Sequence, residues 1–129
     1  MVLNSFFREG LEEAMKEIGF IKKTRHYIHP QCHHLFIDFP GTAPLGIGKD
    51  YNIKPEEHLV DGSKIKILSP TDCVKDRLAT YMYFHDRDGL DQAVLVAQKH
   101  PVNFKSIKKW CANENNLQVF EEFFKLLKK

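Results

Sequence analysis

The densest set of side chains able to do chemistry lies between His26 and Asp38. His26, His29, Cys32, His33 and His34 offer the nitrogen and sulfur donors that zinc takes in tetrahedral sites, and a hairpin can bring residues of two strands together. The spacing matches no established finger or knuckle, and strand alternation sends His33 and His34 to opposite faces. These residues therefore read first as scattered surface or core histidines, with a metal-binding module built on the hairpin as the competing reading. Asp38 shares a strand face with His34, within reach of a common ligand. His34 and Asp38 are thus the candidate metal pair, weighed against an exposed strand carboxylate with no specific task.

Other polar clusters are helix-spaced. Asp72, Lys75, Asp76 and Arg77 supply ion-pair partners along one helix, and Asp86, Asp88 and Asp91 place negative charge where a helix amino terminus favours it. Gly46-Ile47-Gly48-Lys49 has a trace of a phosphate-binding loop but lacks the Gly-x-x-x-x-Gly-Lys-Ser/Thr pattern and its strand-to-helix setting, so it carries little weight. Cys73 beside a helix start is a weak nucleophile candidate, because no orienting histidine is identifiable nearby.

The elements that must position these residues follow from periodicity and punctuation. Phe7, Leu11, Ala14, Met15 and Ile18 recur at three- and four-residue steps after an Asn4 or Ser5 cap and before Gly19, which predicts an amphipathic helix. Lys23 to Phe39 alternates around His29-Pro30-Gln31-Cys32 and predicts a two-stranded hairpin, with Leu35, Ile37 and Phe39 on the core face and Asp38 pointing away from it. Pro40 to Asp61 is rich in Gly and Pro and reads as irregular around one short strand near Leu45 to Ile47. Lys64 to Leu68 predicts another strand.

Ser69-Pro70-Thr71-Asp72 combines a capping hydroxyl, a proline at the first helical position and a carboxylate at the third. The helix it starts should turn Val74, Leu78, Tyr81 and Met82 inward and end near His85. Further helices are expected from Asp86 to before Pro101, from an Asn103 cap through Trp110 and Cys111, and over Leu117, Phe120, Phe124 and Leu127. The fold class is therefore α+β: a small, mostly antiparallel sheet with an N-terminal helix and a C-terminal helical half. One domain over residues 1–129 is expected, sheet-containing to about residue 68 and helical from about residue 69.

Composition limits the partners. The chain is 43% hydrophobic and 28% charged with ten Phe, the balance of a globular protein. A formal charge of +2 is too small for the field of a dedicated duplex-DNA binder, so nucleic acid is not indicated. No apolar run is long enough for a signal peptide or a membrane span, which predicts no membrane partner and a cytoplasmic location. Three cysteines without Cys-x-x-Cys spacing fit reduced thiols.

The run SPTDCVKDRLATYMYFHDRDGLDQA, Ser69 to Ala93, resembles the segment that follows the sheet in bacterial nucleotidyltransferase-like proteins related to the abortive-infection type of antitoxin or toxin. In that superfamily a lysine lies on one helix, matched by Lys75, and an Arg-(Lys)-Asp-x-x-Asp pattern opens the next, matched by Arg87, Asp88 and Asp91. Leu35-Phe36-Ile37-Asp38-Phe39 looks like the strand that carries the superfamily's third acidic residue. The resemblance implies a partial nucleotidyltransferase-like fold, nucleotide binding by Lys75, Arg87, Asp88 and Asp91, a catalytic part for Asp38, and Mg2+ if a nucleotide site survives.

The Gly-Ser turn and Asp-x-Asp strand that define the superfamily are not found before the first helix, and one strand carboxylate cannot gather the metals that phosphoryl-type transfer requires. The expectation is a degenerate or partial domain that acts by binding a nucleotide, a partner protein or a second copy of itself. Homodimerisation is the simplest way to cover an apolar face left bare. The alternatives are a nucleotidyltransferase completed by a second chain and the His/Cys metal module.

Overall fold

The computed structural model describes residues 5–39 and 46–129. The chain divides into two compact units, Met1–Pro44 and Leu45–Lys129. Among the described residues, five helices and two small antiparallel sheets make it an α+β protein. Among the described residues, no helix is long and apolar enough to cross a membrane.

The first unit holds helix α1 (Ser5–Glu17) and strands β1 (Ile21–Lys23), β2 (His26–His29) and β3 (Cys32–Asp38). Helix α1 ends in a Schellman turn at Gly19, whose φ is +92°. Gly19 N–H donates to Lys16 C=O at 3.0 Å and Phe20 N–H to Met15 C=O at 2.9 Å, so two otherwise orphaned carbonyls are satisfied. The predicted Asn4 cap lies outside the described residues. The sheet runs β1-β2-β3, antiparallel throughout, with Tyr27 opposite Ile37 and His26 opposite Asp38.

The expected hairpin is present with one more strand, because Ile21–Lys23 pairs back onto β2. The buried anchor of the sheet is Tyr27, which meets the Phe39 ring edge-on at 5.8 Å. Strand β3 does not have the one-sided burial that alternation suggested. Leu35, Ile37 and Phe39 are exposed, as is Phe36 at 66%. Ile18, expected on the buried stripe of the first helix, lies beyond its last turn and is also exposed.

The second unit opens with a tight turn in which Ile47 and Asp50 exchange two backbone hydrogen bonds, of 2.9 and 3.1 Å. Leu45, the start of the predicted short strand, lies outside the described residues. Strands β4 (Glu56–Val60) and β5 (Ser63–Ile67) then form a hairpin. β4 falls in the stretch read as irregular. Its signal is Asp61-Gly62: both residues take positive φ, 50° and 81°, as a two-residue turn of matching twist requires.

Helices α2 (Pro70–Phe84), α3 (Arg87–Lys99), α4 (Phe104–Asn113) and α5 (Leu117–Leu127) complete the chain. Ser69 caps α2 by accepting from Asp72 N–H at 3.1 Å, Asp86 caps α3 through Asp88 N–H at 3.0 Å, and Asn103 caps α4 through Ser106 N–H at 3.0 Å. Each cap satisfies a donor that the helix cannot satisfy itself. The apolar stripes of the helices meet in one core of Val74, Leu78, Leu90, Ala93, Ile107, Trp110, Cys111, Val119, Phe120 and Phe123, with Ile47 inserted from the opening turn. Each fully buried large side chain here contributes about 1.5–3 kcal/mol, enough to hold α2 to α5 and the turn as a rigid support.

Candidate functional site

His34 and Asp38 both lie exposed on β3. Cys32 Sγ stands 3.9 Å from His34 Nε2, as i and i+2 on one strand face should. Among the described residues, no group of three or more His, Cys, Asp or Glu converges as a metal site would need. Lys75, Arg87, Asp88 and Asp91 belong to the second unit and divide into two sets. Arg87 pairs with Asp91 at 3.6 Å, both side chains well exposed, on the first turns of α3, where Asp88 also lies. Lys75 sits nine residues before the end of α2, about 13 Å along the helix axis at 1.5 Å per residue, and is buried at 7% exposure.

Lys75 pairs with Asp72 one turn earlier, as the helix-spaced reading expected, but at 3.5 Å. That is longer than the 2.7–2.9 Å or so of a strong charge-assisted hydrogen bond. Asp76 turns instead to the adjacent Arg77, at 2.6 Å, which also reaches Gln92 of α3 at 3.1 Å. Lys75 is thereby left to face a cavity of about 400 Å³.

Three elements build that cavity. α2 supplies Lys75, and the opening turn supplies Lys49 and Asp50. Helix α4 supplies Ser106, Lys109, Trp110 and Asn113 along one stripe at steps of three and four, with Glu114 at its C-cap. The turn is held by side chains. Trp110 Nε1–H donates to Ile47 C=O at 3.0 Å, and Lys49 N–H donates to both Glu114 carboxylate oxygens at 3.1 Å. Tyr83 O–H donates to Glu114 Oε1 at 2.6 Å. Gly48 has φ +61°, and a Cβ there would collide with Glu114 Oε1, so only glycine lets the backbone lie this close to the carboxylate.

The charges of the cavity are unequally committed. Glu114, at 6% exposure, gives its lone pairs to Lys49 N–H and Tyr83 O–H, and Asp50 Oδ1 accepts from Asn52 N–H at 2.9 Å. Among the described residues, neither the Lys49 nor the Lys109 ammonium has an ion-pair partner. Burial pushes the Cys111 thiol up to about 12, with Glu114 adding to the rise and Lys75 opposing it. The hydrogen bond to Glu114 holds the Tyr83 hydroxyl above the ordinary tyrosine value. Glu114 and Asp50 keep their charge but have lone pairs committed to N–H and O–H donors, so the groups the cavity offers an anion with several oxygens are the Lys49, Lys75 and Lys109 ammoniums.

Of the site residues that the resemblance implied, Lys75 lines this cavity and Arg87, Asp88, Asp91 and Asp38 do not. Lys49 was visible only as the end of a discounted glycine loop, Lys109 as an ordinary helix cation, and Glu114 as part of the polar break Asn113-Glu114-Asn115-Asn116. The usable signal was the pair Gly48-Lys49, whose partner 65 residues away is beyond any local pattern. The chain matches no family model, no curated protein and no solved structure.

Proposed function

We propose that this chain is a degenerate or partial nucleotidyltransferase-like domain that acts by binding a nucleotide through its phosphates, at the cavity lined by Lys75. The observation that carries this reading is the burial of Lys75 at a cavity it shares with Lys49 and Lys109. A buried lysine costs free energy unless something nearby repays its desolvation, and Asp72 at 3.5 Å does so weakly. The volume of about 400 Å³ falls within the range of small-molecule sites. Binding is favoured over catalysis because the two lining carboxylates are already engaged by N–H and O–H donors, whereas nucleotidyl transfer needs clustered carboxylates open to metal.

Calorimetric titration of the pure protein with ATP, in the presence and absence of Mg2+, tests the proposal. Lys75→Met, which keeps the length and loses the charge, should weaken binding by at least about tenfold. Arg87→Ala should leave it unchanged, since Arg87 does not line the cavity. The proposal fails if no nucleoside triphosphate binds saturably, or if Lys75→Met binds as the wild type does. Metal-dependent incorporation of labelled nucleotide, abolished by Asp38→Ala, would refute the non-catalytic part.

A further inference from the structure

The Lys75 cavity is richer in phosphate-binding groups than the helix α2 lysine alone accounts for, and poorer in base-binding groups than a nucleotide-specific pocket would be. Lys49 and Lys109 reach it from two other elements, the opening turn and α4. The α4 stripe from Ser106 to Asn113 extends about 10 Å at helical rise, so its polar groups are spread along a line instead of gathered at a point. Among the described residues, the one aromatic side chain in the lining, Trp110, is 4% exposed and its N–H is already given to Ile47 C=O. It presents neither a stacking face nor a donor to a base.

We infer that Lys49 and Lys109 are phosphate-contacting arms of this cavity, that Glu114 positions the first of them through its backbone, and that the cavity therefore selects ligands by number of phosphates and not by base. The inference rests on the nucleotide-binding reading above and adds residues and a selectivity to it. The shared chemistry is a chain of two or three phosphates, free or carried by a nucleoside. A single phosphate can engage Lys75 with one neighbouring arm, whereas a chain lying along α4 can engage all three.

Glu114 has its part because the other anchors hold Ile47 and not the tip of the turn: Ile47 is packed in the core and its C=O accepts from Trp110 Nε1–H. The ring of hydrogen bonds between Ile47 and Asp50 closes the turn on itself, and the two contacts from Lys49 N–H to Glu114 set where its tip points. Without them the Lys49 ammonium keeps its charge and loses its place.

The experiment is calorimetric titration with orthophosphate, pyrophosphate, tripolyphosphate, AMP, ATP and GTP. ATP should bind at least about tenfold more tightly than AMP, with tripolyphosphate and GTP within about threefold of ATP. Lys49→Ala and Lys109→Ala, both at exposed positions, should each weaken tripolyphosphate by about fivefold or more and orthophosphate by less than about twofold. Glu114→Ala, which leaves the Lys49 amide without its acceptor, should weaken tripolyphosphate as Lys49→Ala does, and the double variant should be no weaker than either, since both remove one arm. Additive losses in that cycle would overturn the positioning part.

Equal affinity for AMP and ATP, a strong preference between ATP and GTP, or undiminished tripolyphosphate binding by Lys49→Ala and Lys109→Ala would overturn the selectivity. Those outcomes leave the nucleotide-binding reading standing as long as Lys75→Met weakens binding by at least about tenfold. No binding by any of the ligands overturns both.

Discussion

Gly89 lies in the first turn of α3, where it packs against α2, and replacing it with alanine sets two effects of opposite sign against each other. Alanine gains up to about 1 kcal/mol over glycine in a helix interior, and less in a first turn. Against this, a Cβ on Gly89 would sit 2.5 Å from Arg77 C=O, 3.1 Å from Tyr81 N and 3.2 Å from the Thr80 Cβ. The first two are backbone atoms of α2, which cannot rotate aside as a side-chain tip can. Ordinary contact begins near 3.5 Å, so the helices must part by roughly 1 Å. The core residues between them, Leu78, Leu90 and Ala93, are all fully buried.

Overpacking of this kind costs about 1–3 kcal/mol, and loosened core contacts place the expected net loss for Gly89→Ala near 2 kcal/mol. Urea unfolding followed by far-ultraviolet circular dichroism should show the midpoint falling by about 1 M at the usual slope for a small protein. Gly10 on α1 is the control, because among the described residues nothing lies within 4 Å of where a Cβ would stand. Gly10→Ala should be neutral or stabilising by up to about 1 kcal/mol. An unchanged or raised midpoint for Gly89→Ala would refute the close approach of α2 and α3.

Three further outcomes follow from the cavity. Gly48→Ala should destabilise the chain by about 1–3 kcal/mol, from the left-handed backbone and the collision with Glu114, and chemical denaturation with Trp110 fluorescence measures it. Tyr83 is favoured as the neutral phenol by its bond to Glu114, so its contribution is complete below about pH 10, the unfolded value, and is lost as pH rises through the higher folded value. Stability measured from pH 9 to 11.5 or so should therefore fall more steeply in the wild type than in Tyr83→Phe. Cys111, buried and with its thiol pushed up to about 12, should resist Ellman's reagent at pH 8 or so until the protein unfolds, while the half-buried Cys32 reacts first.

What could be read in advance was whatever a few adjacent residues determine. Ser69-Pro70-Thr71-Asp72 specifies its own helix start, and Gly19, Asp86 and Asn103 likewise mark ends and starts by local hydrogen bonding. β4 escaped notice because Glu56-Glu57-His58-Leu59-Val60 has no alternation; its strand form comes from pairing with β5 across Asp61-Gly62. The exposure of Leu35, Ile37 and Phe39 on β3 is hidden for a related reason: alternation orders side chains relative to one another and says nothing of which surface is covered. For the site, Lys75 was found through a resemblance, whereas Lys49 and Glu114 are brought together by the packing of a turn on a distant helix end. Contacts that span most of a unit leave no periodic trace.

The attachment of the Lys49 amide to a carboxylate also sets how the turn moves. Backbone amides in helices exchange their hydrogens with solvent only when a segment opens. Among the described residues, the Lys49 amide is guarded by the Glu114 side chain, so a single rotamer change can release it while every helix stays intact. Its exchange rate should then respond to Glu114→Ala far more than those of the amides in α4, and should slow when the cavity is filled. One amide resonance would thus record the residence of one side chain.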